Sequence, residues 1–163
     1  MAITIVCAVV PVSPAAAHQP VLLDSGDTSP RKGPLLPDGT VSYAVRAGVA
    51  KGQDRGFRVA LKQGDRLAVQ LLILDRPPAN ALASSALPEV TLIDPDGKRT
   101  VLPISERTTF YEPYSKQTYL YLSRLERLAK AGTYGVLVRG RSATPIDATI
   151  AVGYREVPGR VIE

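Results

Sequence analysis

Short segments with the hydrophobic pattern of β-strands follow one another along most of the chain. In these segments apolar and polar residues alternate, which places one side of each segment in a core and the other in solvent. The segments lie at 41–46, 57–62, 89–93, 99–104, 117–122, 134–138 and 146–154. The run 67–74 is apolar on both sides, so we expect it to be a central strand and the eighth of the set.

Turn residues between the segments add detail. The sequence Asp-Pro-Asp-Gly at 94–97 separates two predicted strands. Because Pro presets φ and Gly accepts a positive φ, this sequence predicts a hairpin turn.

Ser123 and Glu126 have the spacing of a capping box, and Gly132 follows them. This combination predicts one short helix after the strand at 117–122.

About eight strands with at most one short helix predict an all-β fold, namely an antiparallel β-sandwich or jelly roll. We assign this domain to residues 40–163. Residues 18–39 are rich in Pro and Gly and lack sustained alternation, which predicts an extended leader. Such a leader either docks along a partner or lies across an edge of its own sheet.

The amino-terminal residues have the pattern of an export signal. Residues 2–10 are almost wholly apolar, and the small residues Ala15, Ala16 and Ala17 follow them. This pattern predicts a signal peptide at 1–17 and a mature chain that starts at His18. The apolar run is too short for a membrane span, which needs roughly 20 residues. We therefore expect a secreted or periplasmic protein of the bacterial cell envelope, without a transmembrane span.

The composition narrows the chemistry. The chain of 163 residues contains one His, no Trp and one Cys, and signal-peptide cleavage would leave a cysteine-free mature chain. We therefore expect no cofactor and no catalytic constellation. The net charge of +5 comes from scattered basic residues, so nucleic acid is not an expected partner. Asp94 and Asp96 are weak candidates for calcium ligands, because calcium needs six to eight oxygen atoms.

Three segments, in this order along the chain, resemble the bacterial pre-peptidase C-terminal (PPC) domain. They are Gly-Asp-Arg-Leu at 64–67, Val-Thr-Leu-Ile-Asp-Pro-Asp-Gly-Lys at 90–98 and Ala-Gly-Thr-Tyr-Gly-Val-Leu-Val at 131–138. The resemblance covers about residues 40–155. It implies a secreted jelly-roll module without catalytic activity, of the kind that is appended to enzymes and associated with binding to substrates or surfaces.

Two groups of side chains are candidates for binding. Tyr111 and Tyr114 are predicted to be exposed on a loop, whereas Tyr119 and Tyr121 are expected to point inward from a strand. A basic patch is expected if the predicted helix lies beside the following strand. Its members are Arg124, Arg127, Lys130, Arg139 and Arg141.

The leading functional hypothesis is a non-catalytic β-sandwich that binds another envelope or extracellular protein through Tyr111 and Tyr114. The alternative is a carbohydrate- or lipid-binding module, in which loop aromatics line a groove instead of packing inward. A third hypothesis, a hydrolase that uses carboxylates, requires two Asp or Glu side chains in one cleft, at least one of them with a raised pKa.

Overall fold

Two stacked β-sheets form the protein, as described for residues 18–163 by a computed structural model. The signal peptide predicted at 1–17 lies outside the described residues. The strands are β1 (Gln19–Leu22), β2 (Leu35–Leu36), β3 (Tyr43–Val49), β4 (Asp54–Leu61), β5 (Arg66–Leu74), β6 (Glu89–Ile93), β7 (Arg99–Val101), β8 (Thr108–Glu112), β9 (Gln117–Leu128), β10 (Gly132–Arg139) and β11 (Ile146–Val152). Two short 3₁₀ turns, Ala79–Ala81 and Ser84–Ala86, interrupt the connection from β5 to β6. Over the described range, no helix is long and apolar enough to cross a membrane.

The strand order confirms the predicted all-β sandwich. The six-stranded sheet has the order β1-β3-β11-β5-β9-β8, and the five-stranded sheet has the order β2-β4-β10-β6-β7. Within these, β3-β11-β5-β9 facing β4-β10-β6-β7 is the order of a jelly roll. The sheets are mixed and not purely antiparallel, because β1 pairs with β3 and β2 pairs with β4 in the parallel direction.

The core lies between the two sheets. The central strand predicted at 67–74 is confirmed as β5, which is paired on both sides, with β11 and β9. Four of its side chains are fully buried, namely Leu67, Val69, Leu71 and Ile73. Burial of a side chain of this size contributes roughly 1.5–3 kcal/mol, so the inward side of β5 is a major source of stability.

The helix predicted after Ser123 is wrong, because this segment continues β9 as far as Leu128. Strand β9 contains a bulge opposite Leu71 and Leu72, where Leu122 has no partner in the ladder to β5. A bulge adds one residue to a strand and so shifts the alternation of inward and outward residues. The spacing of Ser123 and Glu126, which predicted a capping box, therefore lies within a strand and does not begin a helix. Gly132 begins β10 and does not end a helix.

The leader at 18–39 lies on the edges of the domain's own sheets, which is one of the two arrangements expected for it. Strand β1 extends the six-stranded sheet, and β2 extends the five-stranded sheet. Between them the chain crosses the outer side of the five-stranded sheet, where Pro30 packs over Gly56 and Gly135. A Cβ atom on Gly56 would lie 2.4 Å from the Pro30 nitrogen. Glycine at this strand position is what allows the leader to pack so closely.

The carboxyl-terminal segment also covers sheet edges. Ile162 forms an isolated antiparallel bridge with Leu35 on the free side of β2. The buried Tyr43 hydroxyl donates a hydrogen bond of 3.0 Å to the carbonyl oxygen of Arg160. The Gly159 N–H donates to the side chain of Gln19 in β1, at 2.8 Å. Both ends of the described chain are therefore fastened to the same side of the sandwich.

Candidate ligand-binding groove

The aromatic side chains of β9 lie on the outer side of the six-stranded sheet. Leu120 and Leu122 belong to the core, so Tyr119 and Tyr121 project to the opposite side of the strand. The expectation that these tyrosines point into the core is therefore wrong. Tyr119 is nevertheless only 8% exposed, which means that other groups cover it on the outer side.

These tyrosines form part of a groove that crosses the whole six-stranded sheet. The cavity has a volume of about 250 Å³. Every strand of the sheet contributes to its lining, through Pro20 (β1), Ala44 and Arg46 (β3), Thr149 and Ala151 (β11), Leu72 (β5), Tyr119 and Tyr121 (β9), and Phe110 and Glu112 (β8). His18, Tyr114 and Ser115 complete it. Binding sites for small molecules have volumes of roughly 300 Å³ or more, so the groove is large enough to hold part of a small ligand.

The loop between β8 and β9 forms one wall of the groove. The Glu112 carboxylate accepts hydrogen bonds from the backbone N–H groups of Tyr114, at 2.9 Å, and Ser115, at 2.6 Å. Partial burial acts to raise the pKa of Glu112, but hydrogen bonds from Ser115 and Tyr114 outweigh it and hold this pKa below its usual value. The ionised carboxylate thus fixes the loop that carries Tyr114, whose side chain is 75% exposed at the rim.

The aromatic rings of the groove are packed against other side chains. The centroids of Phe110 and Tyr121 are 5.5 Å apart, and their planes are tilted by 49°. The Arg124 guanidinium lies 3.9 Å from the centroid of the Tyr121 ring, in a cation–π contact. It also pairs with Glu106 at 3.0 Å. The rings therefore present apolar edges and partial surfaces, and not a flat open platform.

Arg46 is the exposed cation in the floor of the groove. It projects from β3 between β1 and β11, where Leu22 and Thr149 are its neighbours in register. It lines both the main cavity and an adjoining one that extends toward Leu74. Among the residues that the structure describes, no carboxylate forms an ion pair with Arg46. Its guanidinium remains available to an acidic group on a ligand.

The basic residues proposed from the sequence do not lie together. The helix that was expected to align them is absent, and each of them pairs with a different carboxylate. The pairs are Arg124–Glu106, Arg127–Asp94, Lys130–Asp96, Arg139–Asp54 and Arg141–Glu89. Arg141 also donates to the carbonyl oxygens of Ser84 and Leu87. These side chains therefore tie separate strands and loops together and do not form one basic surface.

Asp94 and Asp96 lie in the predicted hairpin turn, which is confirmed between β6 and β7. The Asp94 carboxylate is buried against Arg127, whereas Asp96 is exposed and pairs with Lys130 at 2.7 Å. The two carboxylates are thus directed to different cations. Across residues 18–163, no group of three or more metal-binding side chains is found.

The two tyrosines proposed as one contact surface lie on opposite sides of the sheet. Phe110 lines the groove, so its neighbour Tyr111 projects to the other side of β8. Tyr111 is 57% exposed there. Tyr114 lies at the groove, as the ligand-binding hypothesis expects of a loop aromatic.

The third hypothesis requires two carboxylates in one cleft. Among the described residues, Glu112 is the carboxylate that lines the main cavity, and its pKa is lowered, not raised. The described groove therefore offers no carboxylate pair for that mechanism.

Comparisons with known proteins do not assign the chain to a family. No protein-family model and no curated protein matches the chain. The resemblance to the PPC domain stays a prediction from three sequence segments, and the function is argued from the groove.

One feature of the sequence indicates this groove, namely the apolar residues on the outward side of β5. The run 67–74 is apolar on both sides, and only its inward residues are needed for the core. Its outward residues Leu72 and Leu74 line the two adjoining cavities. Apolar residues on the outer side of a sheet indicate that something other than water covers it.

Proposed function

We propose that the protein is a secreted, non-catalytic binding module whose groove takes a small amphipathic ligand with an acidic group. The observation that carries this proposal is an apolar groove with Arg46 in its floor, an arginine that forms no ion pair with the residues that the structure describes. The proposal of secretion rests on the export pattern of residues 1–17.

The apolar lining supports a ligand with an apolar body. Side chains of Leu72, Ala44, Ala151 and Phe110 supply contact surface without hydrogen-bonding groups. Burial of ligand surface against them contributes roughly 25 cal/mol per Å² before the cost of association is subtracted. An acyl or other hydrocarbon chain gains from this surface, whereas a sugar would leave many hydroxyl groups without partners.

The charge of Arg46 supports an acidic group on that ligand. A guanidinium forms paired hydrogen bonds with a carboxylate or phosphate, and such charge-assisted hydrogen bonds are stronger than those between neutral groups. Glu112, which also lines the groove, is occupied with the N–H groups of its own loop. The groove thus offers Arg46 as a positive group, which no carboxylate in the described part of the chain pairs with.

A carbohydrate ligand remains the second candidate, and Tyr114 is the observation that favours it. Its ring is 75% exposed at the rim, which is the position required for stacking on a sugar. The other rings are less suited, because Tyr119 is buried and Arg124 covers one side of Tyr121. We therefore rank the amphipathic acid first.

The test is a calorimetric titration of the purified protein with dodecanoate and with its methyl ester. We expect dodecanoate to bind, and Arg46→Gln to weaken it by about tenfold or more, because a hydrogen bond to a charged group contributes roughly 1.5–3 kcal/mol. The same variant should leave the weaker binding of the ester unchanged. The matched control is Arg99→Gln, which removes an exposed arginine from β7 of the other sheet.

A second variant tests the apolar part of the groove. Ala44→Phe adds a ring to the groove lining between Pro20 of β1 and Ala151 of β11, and it should reduce the binding of acid and ester alike. Binding of neutral oligosaccharides in the absence of dodecanoate binding would contradict the proposal and favour the carbohydrate module. Dodecanoate binding that neither Arg46→Gln nor Ala44→Phe weakens would place the ligand elsewhere.

A further inference from the structure

Strand β8 is an edge of the six-stranded sheet, and its backbone groups on one side have no partner among the described residues. The Asp75 N–H donates to the Thr118 carbonyl oxygen, so the backbone groups of Thr118 face β5. Those of its neighbour Tyr119 therefore face β8, where Tyr119 pairs with Phe110. The N–H and C=O groups of Thr109 and Tyr111, on either side of Phe110, consequently point away from the sheet. Within residues 18–163 they form no hydrogen bond.

The other sheet edges are short or covered, which sets β8 apart. Strand β7 has three residues, and β2 has two and is bridged by Ile162. Strand β1 contains Pro20, which lacks an N–H group. Strand β8 has five residues, Thr-Thr-Phe-Tyr-Glu, with no Pro, no Lys and no bulge in its pairing with β9. Natural edge strands usually carry such protective features, so their absence indicates an edge that accepts another strand.

We propose that β8 pairs with β8 of a second copy of this chain, in the antiparallel direction about a twofold axis at Phe110. In this register Thr109 of one copy faces Tyr111 of the other, and the two pairs exchange four backbone hydrogen bonds. The paired edges form one continuous sheet of twice six strands. Because the interface is isologous, it closes on itself and does not propagate into fibres.

The charges at the ends of β8 favour this antiparallel arrangement. Arg107 lies immediately before the strand and Glu112 ends it. In the antiparallel register about Phe110, Glu112 lies opposite Thr108 of the copy and Arg107 lies opposite Pro113, whereas a parallel copy would place Arg107 beside Arg107 and Glu112 beside Glu112. Arg107 is exposed and donates to the carbonyl oxygens of Asn80 and Leu82, without a carboxylate partner among the described residues. The antiparallel arrangement therefore avoids contacts between like charges at both ends of the paired strands.

The pairing would also join the two ligand grooves. Phe110 is the residue on the twofold axis, and it lines the groove on the outer side of the sheet. In the non-hydrogen-bonded pair that it forms with its copy, the two Cα atoms are about 4.5 Å apart. The two cavities would then adjoin across the axis. Tyr111 contacts the copy on the other side of the same strands, which gives the exposed tyrosine a binding role.

The test is sedimentation velocity of the protein over a roughly hundredfold range of concentration, since dimerisation follows mass action. We expect a shift from a species of 17.4 kDa for the full chain to one of twice that mass. Tyr111→Lys places a charge at the edge, and Thr109→Pro removes an outward N–H without touching the ladder to β9. Both variants should remain monomeric over the whole range, with unchanged circular dichroism.

The matched control is Val101→Lys, which places the same charge on an exposed residue of β7, the edge of the other sheet. It should dimerise as the unmodified protein does. A wild-type protein that stays monomeric at all concentrations overturns the proposal, and so does a dimer that survives both β8 substitutions. Capture of a different protein by the β8 edge of a monomeric chain would also overturn it. None of these outcomes affects the ligand proposal, which is measured on the groove variants.

Discussion

Replacement of Gly56 by Ala tests whether the leader is an integral layer of the fold. The new Cβ atom would lie 2.4 Å from the Pro30 nitrogen and 2.5 Å from the Ser29 carbonyl carbon. Both contacts are to backbone atoms, so the leader itself must move. If it lifts away, the hydrogen bond of 2.7 Å from the Gly56 N–H to the Asp27 carbonyl oxygen is lost as well.

The expected cost follows from these two effects. Overpacking of a close contact costs roughly 1–3 kcal/mol, and loss of one hydrogen bond costs about 1 kcal/mol. We therefore expect Gly56→Ala to lower the free energy of unfolding by about 2–4 kcal/mol. For a chain of this size, the melting temperature should fall by roughly 5–15 °C, because each kcal/mol corresponds to roughly 2–4 °C.

The assay is thermal and urea unfolding followed by circular dichroism, with Gly48→Ala as the matched control. Gly48 also lies within a strand, but its added Cβ would meet only the carboxylate oxygen of Asp147, at 3.2 Å, at the end of a flexible side chain. This variant should be neutral or stabilised by up to about 1 kcal/mol. If Gly56→Ala and Gly48→Ala have the same stability within about 0.5 kcal/mol, the leader does not pack on β4 as described.

Two further predictions concern carboxylates. Asp94→Asn should lower the free energy of unfolding by about 2 kcal/mol in urea titrations, because it leaves the half-buried Arg127 without its charged partner. Asp96 is exposed, so Asp96→Asn should change the free energy of unfolding by less than about 1 kcal/mol. Equal effects of the two substitutions would contradict the burial argument. Because the pKa of Glu112 is lowered in the folded protein, its stabilisation of the β8–β9 loop is complete above its usual value of 4.5 and is lost as the pH falls through the lowered pKa. Amide exchange in this loop, followed by NMR, should quicken over that acidic range relative to the core strands and should be fast at neutral pH in Glu112→Gln; unchanged protection in the variant would refute the role of the carboxylate.

The strand pattern could be predicted from the sequence because alternation of apolar and polar residues is a local property. The eight predicted strands are β3–β7 and β9–β11. The three strands that were not predicted have other origins. Strands β1 and β2 are short segments that become strands by adding to the edges of existing sheets. In β8, Phe110 and Tyr111 face opposite sides and are both partly exposed, so no apolar side marks the strand.

The groove was harder to predict because it depends on which side of β9 faces the core. Shifting the inward positions of a strand by one residue exchanges its two sides. In the pattern of apolar and polar residues, Tyr119 and Tyr121 count as apolar, as do Leu120 and Leu122. The local sequence does not decide between them. The bulge at Leu122 then changes the phase again, which no local rule for strands or helices indicates.

The most direct test of the central claim is an NMR titration of the ¹⁵N-labelled protein with dodecanoate. The account predicts progressive shifts in the amide signals of Ala44, Arg46, Leu72 and Tyr121, which line the groove from three strands, β3, β5 and β9. Signals from β4 and β10, whose outer side belongs to the other sheet, should stay in place. Shifts confined to the five-stranded sheet, or no shifts at saturating dodecanoate, would contradict the claim that the outer side of the six-stranded sheet is a binding site.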